Sequence, residues 1–333
     1  MNEQLINILA GIVATATPLV IAGLGETIIE RAGVVNLSLD GSITLSALVG
    51  FIAALAAQAA TGSDAVALLC GLLAAALTSA VIAFIVALGG ITLRQDQVAV
   101  GFVLTMLAAD IAQFIGQPYT GQLGPQILIT PIPILSQIPI IGPILFRQTI
   151  LVYFSYVLMI GLWYWMFRTR GGLAHRAIGE RPAAAFARGT NVNRLRYFYT
   201  ILGGALVGVA GGAYSLSVKA GWTTPPNMSG DGWIALAIVI FGGWHPFRVA
   251  LGAYLFAGLR ALAFAVQSSP DIGIPVVLLN AMPWILMIVT LLLVSSGSIE
   301  RLLQILPRSV QKRMRNFLRA EPPAALGTRF DPE

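Results

Sequence analysis

Residues 65–88 read AVALLCGLLAAALTSAVIAFIVAL, an unbroken run without one charged side chain. A helix rises about 1.5 Å per residue, so this run spans about 36 Å, more than the roughly 30 Å core of a bilayer. Lipid offers the backbone no hydrogen-bond partner, which leaves helices and closed barrels as the only spanning structures. The run lacks the short apolar–polar alternation of a barrel strand. It reads as a transmembrane helix.

Similar runs recur on both sides of it, near residues 5–24, 37–58, 98–116, 149–167, 198–218, 233–243, 249–266 and 275–295. About nine spans follow, within a range of about 8 to 10, and the expected fold is an all-α polytopic membrane protein. The run at 233–243 is too short to cross and suits a half-helix or re-entrant piece. The chain of 333 residues is 57% hydrophobic and 10% charged. A soluble domain carries about 25% charged residues, so a soluble fold is excluded.

The main polar interruption is residues 168–196, RTRGGLAHRAIGERPAAAFARGTNVNRLR, with many arginines and one acid, Glu180. Basic loops stay on the cytoplasmic side. The tail carries Arg301, Arg308, Lys312, Arg313, Arg315 and Arg319, and an even number of expected spans separates it from the loop. Both are therefore expected inside, with the N-terminus outside and the C-terminus cytoplasmic. A transmembrane unit of 1–296 results, holding a cytoplasmic loop at 168–197 and an external segment at 117–147. That external segment has no Lys or Arg before Arg147, and Pro118, Pro125, Pro131, Pro133, Pro139 and Pro143 suit an extended surface. Residues 297–333 form a basic cytoplasmic tail, expected to touch anionic lipid and then to be partly disordered.

The formal charge of +6 is spread over membrane flanks, so it reads as topology and not as a nucleic-acid surface. Met1 to Gln4 hold no basic residue, so the first span is expected to be retained and not cleaved as a signal peptide. A lone Cys70 excludes an intramolecular disulfide and a multi-cysteine metal site, and no metal site is expected.

Two hexapeptides share the pattern N-x-S-x-D-G: Asn36-Leu37-Ser38-Leu39-Asp40-Gly41 and Asn227-Met228-Ser229-Gly230-Asp231-Gly232. Each precedes an apolar helix, and the assigned topology puts them at opposite faces, as an inverted repeat would. Asn36, Ser38, Asp40, Asn227, Ser229 and Asp231 are candidate pathway residues, because a helix N-terminus offers free N–H groups and a positive dipole end. Ordinary capping explains the same residues equally well. Asp110 and Arg260 lie inside apolar spans, where each costs about 2.5–3.5 kcal/mol if left facing lipid. A mutual pair or a cavity would relieve that cost. Asn280 is a further candidate for a pore lining, with Trp284, Thr105 and Gln113 weaker ones.

Within the basic loop, Pro182 suits the first turn of a short helix and Gly189 its end. Ala183, Ala184 and Phe186 flanked by arginines would then form an amphipathic plug for a partner's groove.

The stretches ATPLVIAGLGETIIERAGVVNLSLDG, RQDQVAVGFVLTMLAADIAQFIGQPYTG, GGLAHRAIGERPAAAFARGTNVNRLRY and NMSGDGWIALAIVIFGGWHPFRVALGAYLF together resemble permease subunits of bacterial ABC importers. The resemblance is to the ribose and branched-chain amino acid branch, and within it to the nucleoside uptake permeases of basic-membrane-protein type. It covers about residues 10–295. It implies import of nucleosides or related polar ring compounds across the bacterial inner membrane. It also implies a cytoplasmic ATPase, a second homologous permease forming a heterodimer, and an extracytoplasmic binding protein or lipoprotein. Gly179, Glu180, Pro182, Ala184, Phe186, Arg188 and Gly189 would belong to the coupling helix that meets the ATPase. Arg260 departs from the pattern, which expects a neutral or acidic residue there.

No G-x-x-x-x-G-K-[ST] phosphate loop occurs, so no cofactor is expected in this chain, and ATP with Mg would sit on the partner ATPase. The alternatives are a permease for simple sugars such as ribose and a proton-coupled transporter working through Asp110. An intramembrane enzyme would need convergent carboxylates or a nucleophile with its base, and the sequence shows neither.

Overall fold

The computed structural model describes residues 3–267 and 322–331, with the isolated positions 281, 285 and 288. The expected span at 275–295, with Asn280 and Trp284, lies outside the described residues, as does most of the tail. Among the described residues, seven helices are long and apolar enough to cross a membrane. They are α1 (Glu3–Arg31), α2 (Leu39–Thr61), α3 (Asp64–Ala87, prolonged by a π turn at Leu88–Thr92), α4 (Gln97–Gly116) and α5 (Ile150–Arg168), followed after the polar loop by two more. The loop itself contains α6 (Arg170–Glu180) and α7 (Pro182–Ala187). Then come α8 (Val192–Ala213), the short α9 (Asp231–Phe241) and α10 (Pro246–Gln267).

The two ends of the bundle are chemically distinct. At one end lie the 168–197 loop, Arg31, Arg94 and residues 322–331, tied together by Arg31–Glu180 and Arg94–Asp331 ion pairs. At the other lie the start of α1 and the Pro-rich segment, where Gln148 Nε2 donates to Ala10 O (3.0 Å) and Ile127 N to Leu216 O (2.7 Å). The Pro-rich segment is largely irregular, with short turns at Leu135–Gln137 and Gly142–Phe146.

α1 and α8 form the interior, and α3 and α4 the periphery. Of the apolar window in α8, 61% is buried, against 22% in α4. The reason is side-chain size. Helices in lipid gain little from apolar burial alone and associate where small residues let backbones approach. Gly204, Gly208 and Gly212 recur at four-residue spacing on α8 and face Ala83, Ala75 and Leu72 of α3. A Cβ at Gly25 of α1 would come within 2.6 Å of the Gly203 carbonyl of α8. By contrast α3 and α4 turn Leu69, Leu73, Leu77, Phe102, Met106 and Phe114 outward, a surface suited to lipid or a second chain.

Gly208→Val should therefore drive its side chain into the Ala75 carbonyl of α3 and separate the two helices. Overpacking of this kind costs about 1–3 kcal/mol. The thermal midpoint of the detergent-solubilised chain should fall by several degrees. Gly161→Ala, where no atom lies within 4 Å of an added Cβ, should leave it unchanged.

Candidate functional site

The two hexapeptides, expected at opposite faces, meet inside the bundle. α2 runs away from the loop end and α9 runs toward it, and their N-terminal ends abut. Asp40 Oδ1 accepts from the backbone N–H of Gly230 (2.8 Å) and of Gly232 (3.0 Å). Asp40 thus caps the opposing helix and not its own, for Ser38 at the α2 N-cap makes no side-chain cap bond. Glycine at 232 is required by the approach, since a Cβ there would fall on the Asp40 backbone. On the other side of α2, Gly41 N donates to Thr105 Oγ1 of α4 (2.9 Å).

The sequence folds this way locally because residues 33–38 turn inward after α1. Gly33 has φ +90°, which reverses the chain. Asn36 then holds the inward leg: its Oδ1 accepts from Ser38 N (3.2 Å) and Ser38 Oγ (2.6 Å), and its Nδ2 donates to Glu26 Oε2 (3.1 Å). Asn36 and Ser38 are fully buried in this knot. Glu26 lies about 7.5 Å of helix rise above Arg31, so α2 begins well inside the membrane-spanning layer.

With Gly232 held against Asp40, the Asp231 side chain is directed to the other side. Its carboxylate is buried, accepts from Tyr214 Oη (2.6 Å) and is bridged by the Arg260 guanidinium, with Nη1 at 3.1 Å from Oδ2. Burying a lone carboxylate is costly, and the forked pair with Arg260 plus the phenol compensates it. Arg260 also lies over the Phe256 ring, 5.1 Å from its centroid. These groups floor a cleft of about 600 Å³ between α1, α10 and the segment after α8. Asn227, Lys219 and Thr15 add polar groups to its wall, and Ile12 and Phe264 add apolar ones. A cleft of this size has room for a small polar molecule, and it offers donors, acceptors and an apolar wall without an uncompensated buried charge.

The structure thus places the sequence candidates unequally. Asp231 and Asn227 line the cleft, and Asp40 supports it from behind. Ser229 is exposed on the loop before α9. Asp110 is on the exposed face of α4, outside the cleft lining, and Arg260 pairs with Asp231. Tyr214 and Arg260 were not among the candidate pathway residues. Arg260 carried a signal as a charge inside an apolar span, but Tyr214 in an ordinary apolar run carried none. Among the described residues no cluster of His, Cys, Asp and Glu could hold a metal ion.

At the loop end, α6 was not foreseen, whereas α7 starts at Pro182 as expected. Thr169 caps α6 through Gly172 N (3.1 Å), and Asn191 caps α8 through Arg194 N (3.0 Å). Gly179 lies flush against the Arg31 carbonyl. Glu180 pairs with Arg31 at 3.3 Å, while Arg31 also donates to the Gly243 and Trp244 carbonyls, each at 3.3 Å. Ala184, Phe186, Arg188 and Gly189 are exposed on α7 and just after it. His175 of α6 is wholly buried, with Nε2 2.8 Å from Ile28 O. Burial pushes its pKa down to about 4, against the opposing effect of that hydrogen bond.

Comparison with known proteins agrees with this architecture. Residues 8–294 match the family described as branched-chain amino acid transport system / permease component. The nucleoside ABC transporter permease protein NupC of Lactococcus lactis is 34% identical over 292 residues, 86% of this chain and 91% of the relative. The guanosine ABC transporter permease protein NupQ of Bacillus subtilis is 35% identical over 287 residues, 83% of this chain and 88% of the relative. A Haloferax volcanii protein, TsgC13, provisionally named a glucose ABC transporter permease, is 36% identical over 261 residues, 77% and 76% of the two chains. No solved structure matches the chain. The chain belongs to the branched-chain amino acid transport system permease family.

Asp40→Ala should leave the Gly230 and Gly232 N–H groups without an acceptor, at about 1–3 kcal/mol each. Unfolding in detergent should show that loss, and Asp40→Asn, which keeps an acceptor oxygen, should show less than half of it. A second expectation concerns pH. His175 stays neutral in the fold down to about pH 4, while in the unfolded chain it protonates near 6.5. Between these values the unfolded state binds the extra proton, so stability should fall as pH drops, by up to about 3 kcal/mol. Unfolding midpoints measured from pH 7 to pH 4.5 should show this slope, and His175→Phe should reduce it, the rest coming from His245, whose pKa burial also lowers to about 4.

Proposed function

From membership of this permease family, we propose that the chain is one of two transmembrane subunits of an ATP-driven importer for nucleosides. The observation that carries the substrate class is similarity over most of both chains to relatives named for nucleoside and guanosine transport. The cleft supports it. Asp231 and Arg260 present paired acceptor and donor groups that suit a sugar diol or a base edge, and Phe264 with Ile12 supplies apolar wall for a flat ring. The similarity to the Haloferax volcanii protein favours a second reading, a simple sugar as cargo.

The arginine-bearing loop end is assigned to the cytoplasm, with the N-terminus outside and the C-terminus inside, because basic loops are retained there. The membrane is the bacterial inner membrane. An ATPase on the cytoplasmic side, a second homologous permease and an external binding protein complete the assembly. α7 is the coupling helix, with Phe186 as its apolar tip. This chain contributes the pathway, and ATP with its Mg²⁺ binds on the ATPase.

The complex reconstituted in proteoliposomes, with its binding protein outside and ATP inside, should accumulate labelled guanosine or adenosine. Uptake of glucose or ribose in preference to nucleosides would select the sugar reading, and uptake that persists without the ATPase would overturn the ATP-driven mechanism. Phe186→Ala should lower ATP-dependent uptake by about tenfold, the scale of a buried aromatic anchor at an interface. Membrane insertion of that variant should match the parent.

A further inference from the structure

Residues 322–331 were expected to belong to a partly disordered tail, yet they cross the loop end of the bundle in a fixed path. Ala325 N donates to Gly179 O (2.8 Å) and Gly327 N to Gly33 O (3.1 Å). Ala324 N donates to Glu180 Oε2 (3.2 Å), and Arg196 Nη1 donates to Thr328 O (2.8 Å). Asp331 pairs with Arg94 at 2.6 Å. The Phe330 ring packs on Phe186 of α7, centroids 5.6 Å apart. The segment therefore ties together the end of α1, the end of α6, the tip of α7, the start of α8 and the turn before α4.

Two features show that this path does more than cover the bundle. Phe186 remains 42% exposed with Phe330 against it, on a part of the chain outside the membrane-spanning helices. Phe330 is itself only half-buried, and an aromatic pair left partly open to water marks a surface that another protein covers. Around the pair, Arg181, Arg188 and Arg329 are also exposed. Aromatic side chains with arginine at the margin are the composition of a protein–protein interface, and a row of cations selects an acidic rim on the other side. Arg196 supplies the second feature. It is almost wholly buried, and its Nη1 donates to the segment's Thr328 carbonyl. The start of α8 is thus buttressed by residues more than a hundred positions away.

We infer that residues 322–331 form the second half of the ATPase-docking surface, in which Phe330 and Arg329 extend the face begun by Phe186 and Arg188. This rests on the proposed assignment of α7 as the coupling helix. The occupant is the ATPase subunit, meeting the face with an apolar groove and an acidic rim. The strap holds α7 at one attitude to α1 and α8, so motion of the ATPase is passed to the bundle and is not lost in a loose loop.

The test uses the full complex: copurification of the ATPase on the tagged permease, and ATP hydrolysis stimulated by the nucleoside-loaded binding protein. Phe330→Ala should lower ATPase retention and stimulated hydrolysis by about fivefold to tenfold. It should add less than its own effect to Phe186→Ala, because the two rings touch. Asp331→Arg should weaken both readouts, and the exchange Arg94→Asp with Asp331→Arg should restore them. Both positions of that exchange are exposed, so thermal unfolding of the permease alone should not change. If the parent chain retains no ATPase, the proposed function fails. If the parent and Phe330→Ala retain and stimulate it equally while Phe186→Ala does not, only the role of the strap is overturned.

Discussion

The Asp40 carboxylate, shared between the Gly230 and Gly232 amides, is the contact on which the interior depends. Two helices begin inside the apolar layer, and each would leave its first N–H groups without partners there. One carboxylate placed between the two ends satisfies the amides of the second and lies in the positive field of both. Its charge is compensated in turn, where an isolated ion would be expensive. Glycine at 232 brings the backbones together, and that approach turns Asp231 toward Tyr214 and Arg260. The polar floor of the cleft is a consequence of how two helix ends are joined.

The same knot reaches the loop end through the last turns of α1. Glu26 holds Asn36 of the first hexapeptide, Glu30 accepts from the Trp244 indole after α9, and Arg31 binds the Gly243 and Trp244 carbonyls together with Glu180. One helix thus contacts the start of α2, the end of α9 and the end of α6 within two turns. In the proposed importer this is a direct physical connection between the coupling element and the cleft. Small residues on α8 keep that connection stiff, because close backbone packing leaves few alternative arrangements.

Much of this was legible in the residues. The apolar runs locate the described spans to within a few positions, except that α1 and α8 extend further toward the loop end than their apolar cores suggested. Pro182 marks the start of α7, and the shared N-x-S-x-D-G pattern marks the two helix starts. Other features left weaker traces. α6 is polar and rich in Arg and Gly, so no apolar periodicity announced it, and it forms because Thr169 caps it and its buried side packs on α1. Glu26 and Glu30 follow the apolar run at 5–24, where charges suit a helix end at the membrane surface, and only the continuation of α1 to Arg31 and its packing bury them. The segment at 322–331 has no apolar run long enough to signal order, for its path is held by hydrogen bonds to its backbone, one ring contact and the Arg94–Asp331 ion pair.

By itself the sequence determined the solvent, the helical class and the approximate positions of the described spans. These depend on composition and on spacing along one chain, and the bilayer enforces them locally. The tertiary structure decided which polar residues meet. Asp40 and Asp231 occupy equivalent places in matching hexapeptides, yet one became a cap for the opposite helix and the other part of the cleft. That difference arises from the antiparallel approach of α2 and α9 and from which face of each is covered. Distance in space sets the partner of a buried charge, and no local pattern encodes it.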